Sequence, residues 1–201
     1  MLKRERGHIS CALFLLLLFV FPRTSYGWQS VSIEAHALAV QLGRTFAFCG
    51  KTQLAAQYVV GSGDRNPRDG RHGTFDGVFG GTDTILYGWM NLFSWQNVRE
   101  HRLEMIMTPR ASLSVRAEYH YFMLDQPKDA WYDPGKVLRR DSAGTSGREL
   151  GQEMDLTVRK KLFNRLEFLG GWCFFLPGEF IQKTGESPMA HWYFLETTFN
   201  F

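Results

Sequence analysis

The sequence is poor in cysteine, in net charge and in long apolar runs, and each shortage excludes a class of protein. It has three cysteines in 201 residues, and Cys49 and Cys173 lack the close spacing of a metal motif. A disulfide between these two is allowed in an oxidising compartment but is not required. The formal net charge is only +3 at pH 7, which gives no argument for nucleic-acid binding. In contrast, 15% of the residues are aromatic and 20 are glycine, a composition that suits a soluble β-protein or a membrane barrel.

A single apolar run, near the N-terminus, has the flanks of a signal peptide. Basic residues precede the run from Cys11 to Phe21, and small residues follow it. A membrane-spanning helix needs about 20 apolar residues, which is well beyond the length of this run. We therefore predict that residues 1–27 are a signal peptide cleaved after Gly27, and that residues 28–201 form the exported domain.

After the leader, the dominant hydrophobic period is two, which is the period of β-strands. In residues 190–201, successive side chains point to opposite faces. One face is mostly apolar, with aromatic side chains near both ends, and the other is more polar. The same alternation is found in residues 54–60, 102–108, 113–124, 150–159 and 165–175. Such an apolar face is either the core side of a soluble sandwich or the lipid-facing band of a barrel.

The fold predicted from this pattern is all-β, an antiparallel outer-membrane β-barrel with about eight strands. The eight predicted strands are residues 31–43, 54–60, 86–93, 102–108, 113–124, 150–159, 165–175 and 190–201. This set is either a complete small barrel or the C-terminal portion of a larger one.

The predicted connections are unequal in length: besides short turns there are three long loops, at residues 61–85, 125–146 and 177–189. Counting back from a periplasmic C-terminus places the last two loops outside the cell. It places the loop at 61–85, and the start of the first strand, in the periplasm. A long periplasmic loop is unusual, so either it is a gate or plug, or a strand between residues 86 and 109 is miscounted.

Several segments, in the same order along the chain, carry a resemblance to a known family. They are residues 61–70 (GSGDRNPRDG), 73–76 (GTFD), 88–97 (GWMNLFSWQN), 129–132 (DAWY), 139–141, 146–148, 151–155 (GQEMD), 175–180 (FLPGEF) and 199–201. Together they resemble the C-terminal part of the alginate export family. The resemblance implies an outer-membrane porin through which an anionic polysaccharide passes passively, without a cofactor. Family members are typically more than twice this length, so the fold transfers more directly than the transport function.

Charged residues on the polar faces of the predicted strands are the candidates for a substrate path. They are Arg102, Glu104, Arg116, Glu118, Arg148, Glu153, Asp155, Arg159 and Glu196. In a wide pore, guanidinium groups pair with carboxylates of a passing chain, while nearby acids keep the binding weak enough for release. In a closed barrel of eight strands, the same side chains fill the interior as ion pairs. Both interpretations stay open.

A loop motif rich in turn-forming residues precedes the third predicted strand. It comprises Gly63, Asp64, Asn66, Asp69, Gly70, Phe75 and Asp76. Position twelve counted from Asp64 is Phe75 rather than Glu, so the calcium-binding EF-hand pattern fails. An Asx-turn or loop-ordering role is favoured. Calcium bound at Asp64, Asn66 and Asp69 is the alternative, and no other metal is predicted.

Catalytic motifs are missing from the sequence, and we expect no enzyme. Neither Gly-x-Ser-x-Gly nor His-Glu-x-x-His occurs. Ser114 and His120 share a predicted face, but six strand residues separate them by about 20 Å. The leading hypothesis is a porin-type transporter whose partners are outer-membrane lipid, an anionic polysaccharide such as alginate, and an oligomer or partner that supplies further strands. The alternatives are a non-conducting structural or adhesive barrel, and a truncated relic of a porin gene.

Overall fold

Antiparallel strands dominate the computed structural model, which describes residues 9–14, 32–76, 87–133, 136–163 and 165–201. The elements in these ranges are β1 (Ile9–Phe14), β2 (Ser32–Ile33), β3 (Ala37–Phe46), β4 (Lys51–Gly61), β5 (Arg71–His72), β6 (Val98–Arg110), β7 (Leu113–Leu124), β8 (Ala130–Asp133), β9 (Lys136–Arg140), β10 (Glu149–Leu162), β11 (Leu166–Pro177), α1 (Glu179–Thr184) and β12 (Ala190–Phe199). The predicted all-β, antiparallel class is confirmed.

Eight of the strands form one sheet in the order β1-β3-β4-β6-β7-β10-β11-β12, and every neighbouring pair is antiparallel. From β3 onward this is a meander, in which each strand pairs with the next long strand along the chain. Within the described ranges, β1 and β12 are not paired with each other. The sheet is therefore open and corresponds to part of a barrel.

The period-two pattern separates two faces of this sheet. On the outer face, large apolar side chains remain exposed, among them Leu54, Leu103, Met154, Trp172 and Leu195. The inner face is buried and carries the hydrophobic core together with most of the buried charged residues. An exposed apolar band opposite a polar interior is the arrangement of an outer-membrane barrel.

The predicted strand at residues 86–93 is wrong. Its described part, residues 87–93, is a turn, in which Gly88 has φ +74° and Asn91 has φ 49°. Left-handed backbone of this kind cannot continue a strand. The segment lies against the inner face instead, where the ring of Phe93 stacks on that of Phe122 with centroids 4.2 Å apart. Its apolar residues are thus buried by packing inward rather than by alternating in a sheet.

Without a strand at residues 86–93, each earlier strand runs in the direction opposite to the one predicted. The connection from β4 to β6 therefore leaves the same end of the sheet as the loops after β7 and β11. Residues 77–86 of this connection lie outside the described residues. Counted back from the C-terminus, the connection after β4 and the start of β3 therefore lie at the opposite end of the sheet from the one predicted. The miscounted strand, rather than an unusual periplasmic loop, is the explanation.

The predicted leader contributes β1, which pairs with β3 from Ile9 opposite Arg44 to Phe14 opposite Ala39. Cleavage after Gly27 stays a prediction, and it would leave β3 as the edge strand. Cys49 is exposed in the turn after β3 and Cys173 is buried on β11, and both are free thiols. Among the described residues, no helix is long and apolar enough to cross a membrane.

Candidate functional site

Two adjacent rows of side chains cross the middle of the inner face. In the first row, Gln57, Arg102, His120 and Glu153 lie opposite one another on β4, β6, β7 and β10. In the second row, Glu104, Glu118 and Asp155 lie opposite one another on β6, β7 and β10. With Glu100 and Arg116 on either side, these rows form what we term the charged cluster: Glu100, Arg102, Glu104, Arg116, Glu118, His120, Glu153 and Asp155.

Three carboxylates in one row would repel one another, since like charges directly opposite on a sheet are destabilising. Cationic side chains from the flanking rows offset this repulsion. Arg102 Nη1 lies 3.3 Å from Glu118 Oε1, and the Arg116 guanidinium lies 3.6 Å from Glu104 and 3.7 Å from Glu118. The Arg102 side chain is only 13% exposed, whereas that of Arg116 is 36% exposed. Arg116 is therefore the more solvent-accessible of the two guanidinium groups.

His120 joins the two rows at the centre of the cluster. Its Nδ1 lies 2.6 Å from Glu100 Oε1 and its Nε2 lies 3.4 Å from Asp155 Oδ2, with the imidazole 1% exposed. The ring also stacks on Phe122, with centroids 5.6 Å apart and planes 8° from parallel. This packing fixes the orientation of the imidazole between two carboxylates on different strands.

The segment Gly88 to Asn91 covers the cluster from the inner side of the sheet. The backbone N–H of Trp89 donates to Asp155 Oδ2 over 3.1 Å, and that of Met90 donates to Glu153 Oε1 over 2.9 Å. The indole N–H of Trp89 donates to Glu118 Oε2 over 3.1 Å, and the indole stacks on Phe194 of β12. The acids therefore hold the segment inward, and the segment narrows the space in front of them.

The structure brings together six of the nine predicted substrate-path residues, namely Arg102, Glu104, Arg116, Glu118, Glu153 and Asp155. The other three lie elsewhere. Arg148 precedes β10, where its carbonyl accepts from Leu124 N–H. Arg159 pairs with Glu167 toward the short-turn end of the sheet, and Glu196 is exposed on β12. Whether any of the nine forms a substrate path stays a prediction.

Four members of the site were not predicted from the sequence: Glu100, His120, Trp89 and Met90. His120 lies on the predicted polar face of residues 113–124, but it is not one of the nine predicted path residues. Glu100 lies on the same alternating face as Arg102, so extending the alternation of residues 102–108 by one step would have found it. The other two could not have been found in this way, because their segment was interpreted as a strand.

A second polar centre, at the long-loop end of the sheet, is organised by Asp129. Its buried carboxylate accepts from Asp64 N–H over 2.8 Å, from the Thr74 hydroxyl over 2.6 Å and from the Tyr132 hydroxyl over 2.7 Å. Arg140 lies 3.4 Å away. Beside it is a pocket of about 240 Å³, lined in part by Asp64, Arg71, His72, Tyr132 and Arg140. Asp129 thus ties the loops after β4 and β7 together.

These loop contacts shift two pKa values. Burial raises the pKa of Tyr132 to about 12, and the hydrogen bond to Asp129 acts in the same direction. Burial alone would raise the pKa of the Asp125 carboxyl, but hydrogen bonds from Gly63 N–H and Arg99 outweigh it and hold that pKa below its usual range. The Arg99 guanidinium lies 2.6 Å from Asp125. Asp125 is therefore ionised and anchored at ordinary pH.

In the loop motif, each of the three candidate calcium ligands accepts a hydrogen bond from the backbone two residues ahead. Asp64 accepts from Asn66 N–H over 2.9 Å, Asn66 from Arg68 N–H over 3.4 Å, and Asp69 from Arg71 N–H over 3.0 Å. This is Asx-turn geometry. Calcium binding at these residues gains no support from it and stays a prediction.

The other members of the motif support the same loop. Gly63 donates its N–H to Asp125 Oδ2 over 3.0 Å, and Gly70 has φ +76° in open space. Phe75 is buried edge-on against Trp95, with ring centroids 5.4 Å apart, and Asp76 is exposed. The motif thus orders the loop through turns at one end and core packing at the other.

Comparison with known proteins agrees with this geometry. A protein-family model described as Alginate export matches residues 25–193, which is most of the chain. A search of curated proteins found no match. The family match supports a general role in alginate export at the outer membrane. Because this match covers most of the chain, the chain belongs to the alginate export family.

Proposed function

We propose that the chain lines part of an outer-membrane passage through which an anionic uronate polymer crosses passively, driven by its concentration gradient. The observation that carries this proposal is the interleaving of guanidinium groups and carboxylates across the middle of the inner face. A guanidinium group binds a carboxylate in a two-pronged geometry, which suits the carboxylates that recur along a polyuronate.

The balance of charge in the cluster favours passage over tight binding. Arg116 already contacts Glu104 and Glu118, so an incoming carboxylate has to compete with two resident ones. Conduction requires binding that is favourable enough for entry but weak enough for exit. The acids beside Arg116 meet this second requirement.

Further strands are part of the proposal, because the sheet is open in the described residues. Each unsatisfied backbone group at a sheet edge in lipid costs several kcal/mol, so β3 or β1 on one side and β12 on the other need partners. Eight strands closed on themselves would leave an interior filled by side chains, whereas water-filled channels appear at about 16 to 18 strands. We therefore propose that other copies of the chain, or a partner, supply the remaining strands.

Export and orientation complete the proposal. A cleaved signal peptide would deliver the chain to the periplasm, and insertion would leave the three long loops outside and the short turns in the periplasm. Passive passage needs neither catalysis nor a cofactor, so neither is part of the proposal.

Liposome flux tests this proposal. Vesicles containing the protein should release trapped uronate oligosaccharides faster than neutral oligosaccharides of the same length, and protein-free vesicles should release neither. Equal release of both sugars would remove the charge-based role of the inner face. No release of either sugar, from vesicles that contain folded protein, would favour the non-conducting structural alternative.

A further inference from the structure

Three buried side chains of the charged cluster converge on one point. Glu118 and His120 of β7 and Asp155 of β10 each direct one potential ligand atom there, and these atoms lie within 4.8 Å of one another. All three residues are buried, with exposed fractions of 6%, 1% and 3%. Alternation places Glu118 and His120 on the same face, and the strand register brings Asp155 opposite Glu118.

Some buried polar atoms of these three residues have no hydrogen-bond partner among the described residues. They include His120 Nε2 and Asp155 Oδ1, both buried. His120 Nε2 is 3.4 Å from Asp155 Oδ2, but the alignment is too poor for a hydrogen bond. Burying a polar atom without a hydrogen bond is costly, and a bound ion is one recognised way of satisfying such an atom.

The charge of the cluster points in the same direction. Among the described residues, the carboxylates of Glu100, Glu104, Glu118, Glu153 and Asp155 are all buried, and the guanidinium groups among them are those of Arg102 and Arg116. Carboxyl groups therefore outnumber guanidinium groups by five to two in a region from which water is largely excluded. A bound dication would pair with the surplus carboxylates.

The spacing of the donors fits a small tetrahedral ion. Ligands about 2.0 to 2.2 Å from such an ion are separated from one another by about 3.4 Å. This is the distance between His120 Nε2 and Asp155 Oδ2, which is 3.4 Å. The Glu118 ligand atom lies within 4.8 Å of the other two, so its side chain has to move closer to reach the same ion. The imidazole ligand selects a transition-metal dication over calcium or magnesium, whose ligands are oxygens.

We propose that Glu118, His120 and Asp155 bind a divalent transition-metal ion of the Zn²⁺ class, with the fourth position open. The neighbouring residues fit this assignment. Glu100 lies 2.6 Å from His120 Nδ1, so it accepts the N–H of that nitrogen and leaves Nε2 free for the metal. A metal-binding histidine usually has such a carboxylate partner. The Trp89 N–H orients Asp155 over 3.1 Å, so the ion would fasten β7, β10 and the covering segment together.

Cobalt titration tests the site, because tetrahedral Co²⁺ absorbs strongly in the visible range. The full chain, purified in detergent from outer membranes and stripped with a chelator, should bind one equivalent of Co²⁺ with a tetrahedral spectrum. One equivalent of Zn²⁺ should abolish that spectrum. His120→Asn should eliminate binding, and Glu100→Gln should weaken it by about 10- to 100-fold. The control is Glu167→Gln, because Glu167 is an acid on the same face of the sheet but outside the cluster. This variant should bind Co²⁺ as the wild type does.

Two results would overturn the assignment. One is folded wild-type protein, identified by its heat-modifiable migration on a gel, that shows no tetrahedral Co²⁺ spectrum at one equivalent. The other is a Glu100→Gln variant with unchanged affinity. This second variant keeps the test decisive if His120→Asn does not fold. Because metal binding is measured without any permeating sugar, its failure is distinct from a failure of the proposed transport.

Discussion

Gly88 lies directly against the carboxylate of Glu153: a Cβ atom added to Gly88 would stand 2.3 Å from Glu153 Oε1. Gly88 also has φ +74°, where L side chains are strained. Two independent constraints, one on the backbone and one on space, thus require glycine at the point where the chain turns onto the charged cluster.

Replacement of Gly88 by alanine should destabilise the protein by more than the backbone strain alone. Gly70 offers a matched control, because it has φ +76° but no neighbour within 4 Å of an added Cβ. Gly70→Ala should cost about 1 to 2 kcal/mol, which is the left-handed strain alone. Gly88→Ala should cost at least about 1 kcal/mol more, since the Glu153 side chain has to move. Guanidinium unfolding in lipid vesicles measures both, and equal costs would contradict the close contact.

Arg102 and Arg116 should differ in what they contribute to stability. Arg102 is nearly buried between Gln57 and Glu118, so Arg102→Gln removes the most buried cationic partner of Glu118. It should cost about 3 kcal/mol, the lower end of the range for a broken buried ion pair, because Arg116 and Trp89 still contact Glu118. Because Arg116 is partly exposed, solvent screens its ion pairs with Glu104 and Glu118. Arg116→Gln should therefore cost no more than about 1 kcal/mol. The same unfolding measurement gives both values. A larger cost for Arg116→Gln than for Arg102→Gln would mean that the burial of the two side chains is wrongly assigned.

Asp125 should make the long loops sensitive to acid. Its folded pKa is lowered, so its contribution to stability is fully present above the unfolded value of about 3.9. It is lost as pH falls below that value and through the folded pKa. The difference in unfolding free energy between wild type and Asp125→Asn should therefore shrink between about pH 5 and pH 2. A difference that stays constant over this range would contradict the anchoring by Gly63 and Arg99.

Tyr132 should make the same loops sensitive to alkali. Its pKa is raised to about 12, so its contribution is fully present below the unfolded value of about 10 and is lost as pH rises toward 12. Tyr132→Phe removes the hydrogen bond to Asp129 and should cost about 1 kcal/mol at neutral pH. Difference absorbance near 295 nm, taken between wild type and Tyr132→Phe, reports the titration. A midpoint near 10 would show that the Tyr132 hydroxyl is not bonded as described.

Strict alternation predicted the strands well where one face is apolar and the other charged. Residues 113–124 match β7 in full, and residues 150–159 fall within β10. The exception is Leu150, which alternation groups with Met154 on the outer face. A bulge between Glu149 and Gly151 shifts the register, and Leu150 is 1% exposed in the core. A single inserted residue of this kind leaves little trace in the sequence.

The conformation of residues 86–93 and the assembly of the cluster both depend on contacts between residues far apart in the sequence. A short apolar, aromatic run such as residues 86–93 is compatible with a buried strand, and periodicity cannot distinguish it from a segment packed inside. What decides its conformation is the contact of Gly88 with Glu153, 65 positions away. Likewise, alternation places Glu118 and Asp155 on inner faces, but only the register of β7 with β10 brings them together.

Single-channel conductance in a planar bilayer tests the central claim, that the charged cluster lines a passage for polyuronate. Wild-type protein should give stable current steps that added polyuronate blocks. Arg116→Gln should weaken this block, whereas Arg110→Gln, at the exposed end of β6, should leave it unchanged. Folded protein that gives no steps, or a block equally strong in Arg116→Gln, would contradict the account.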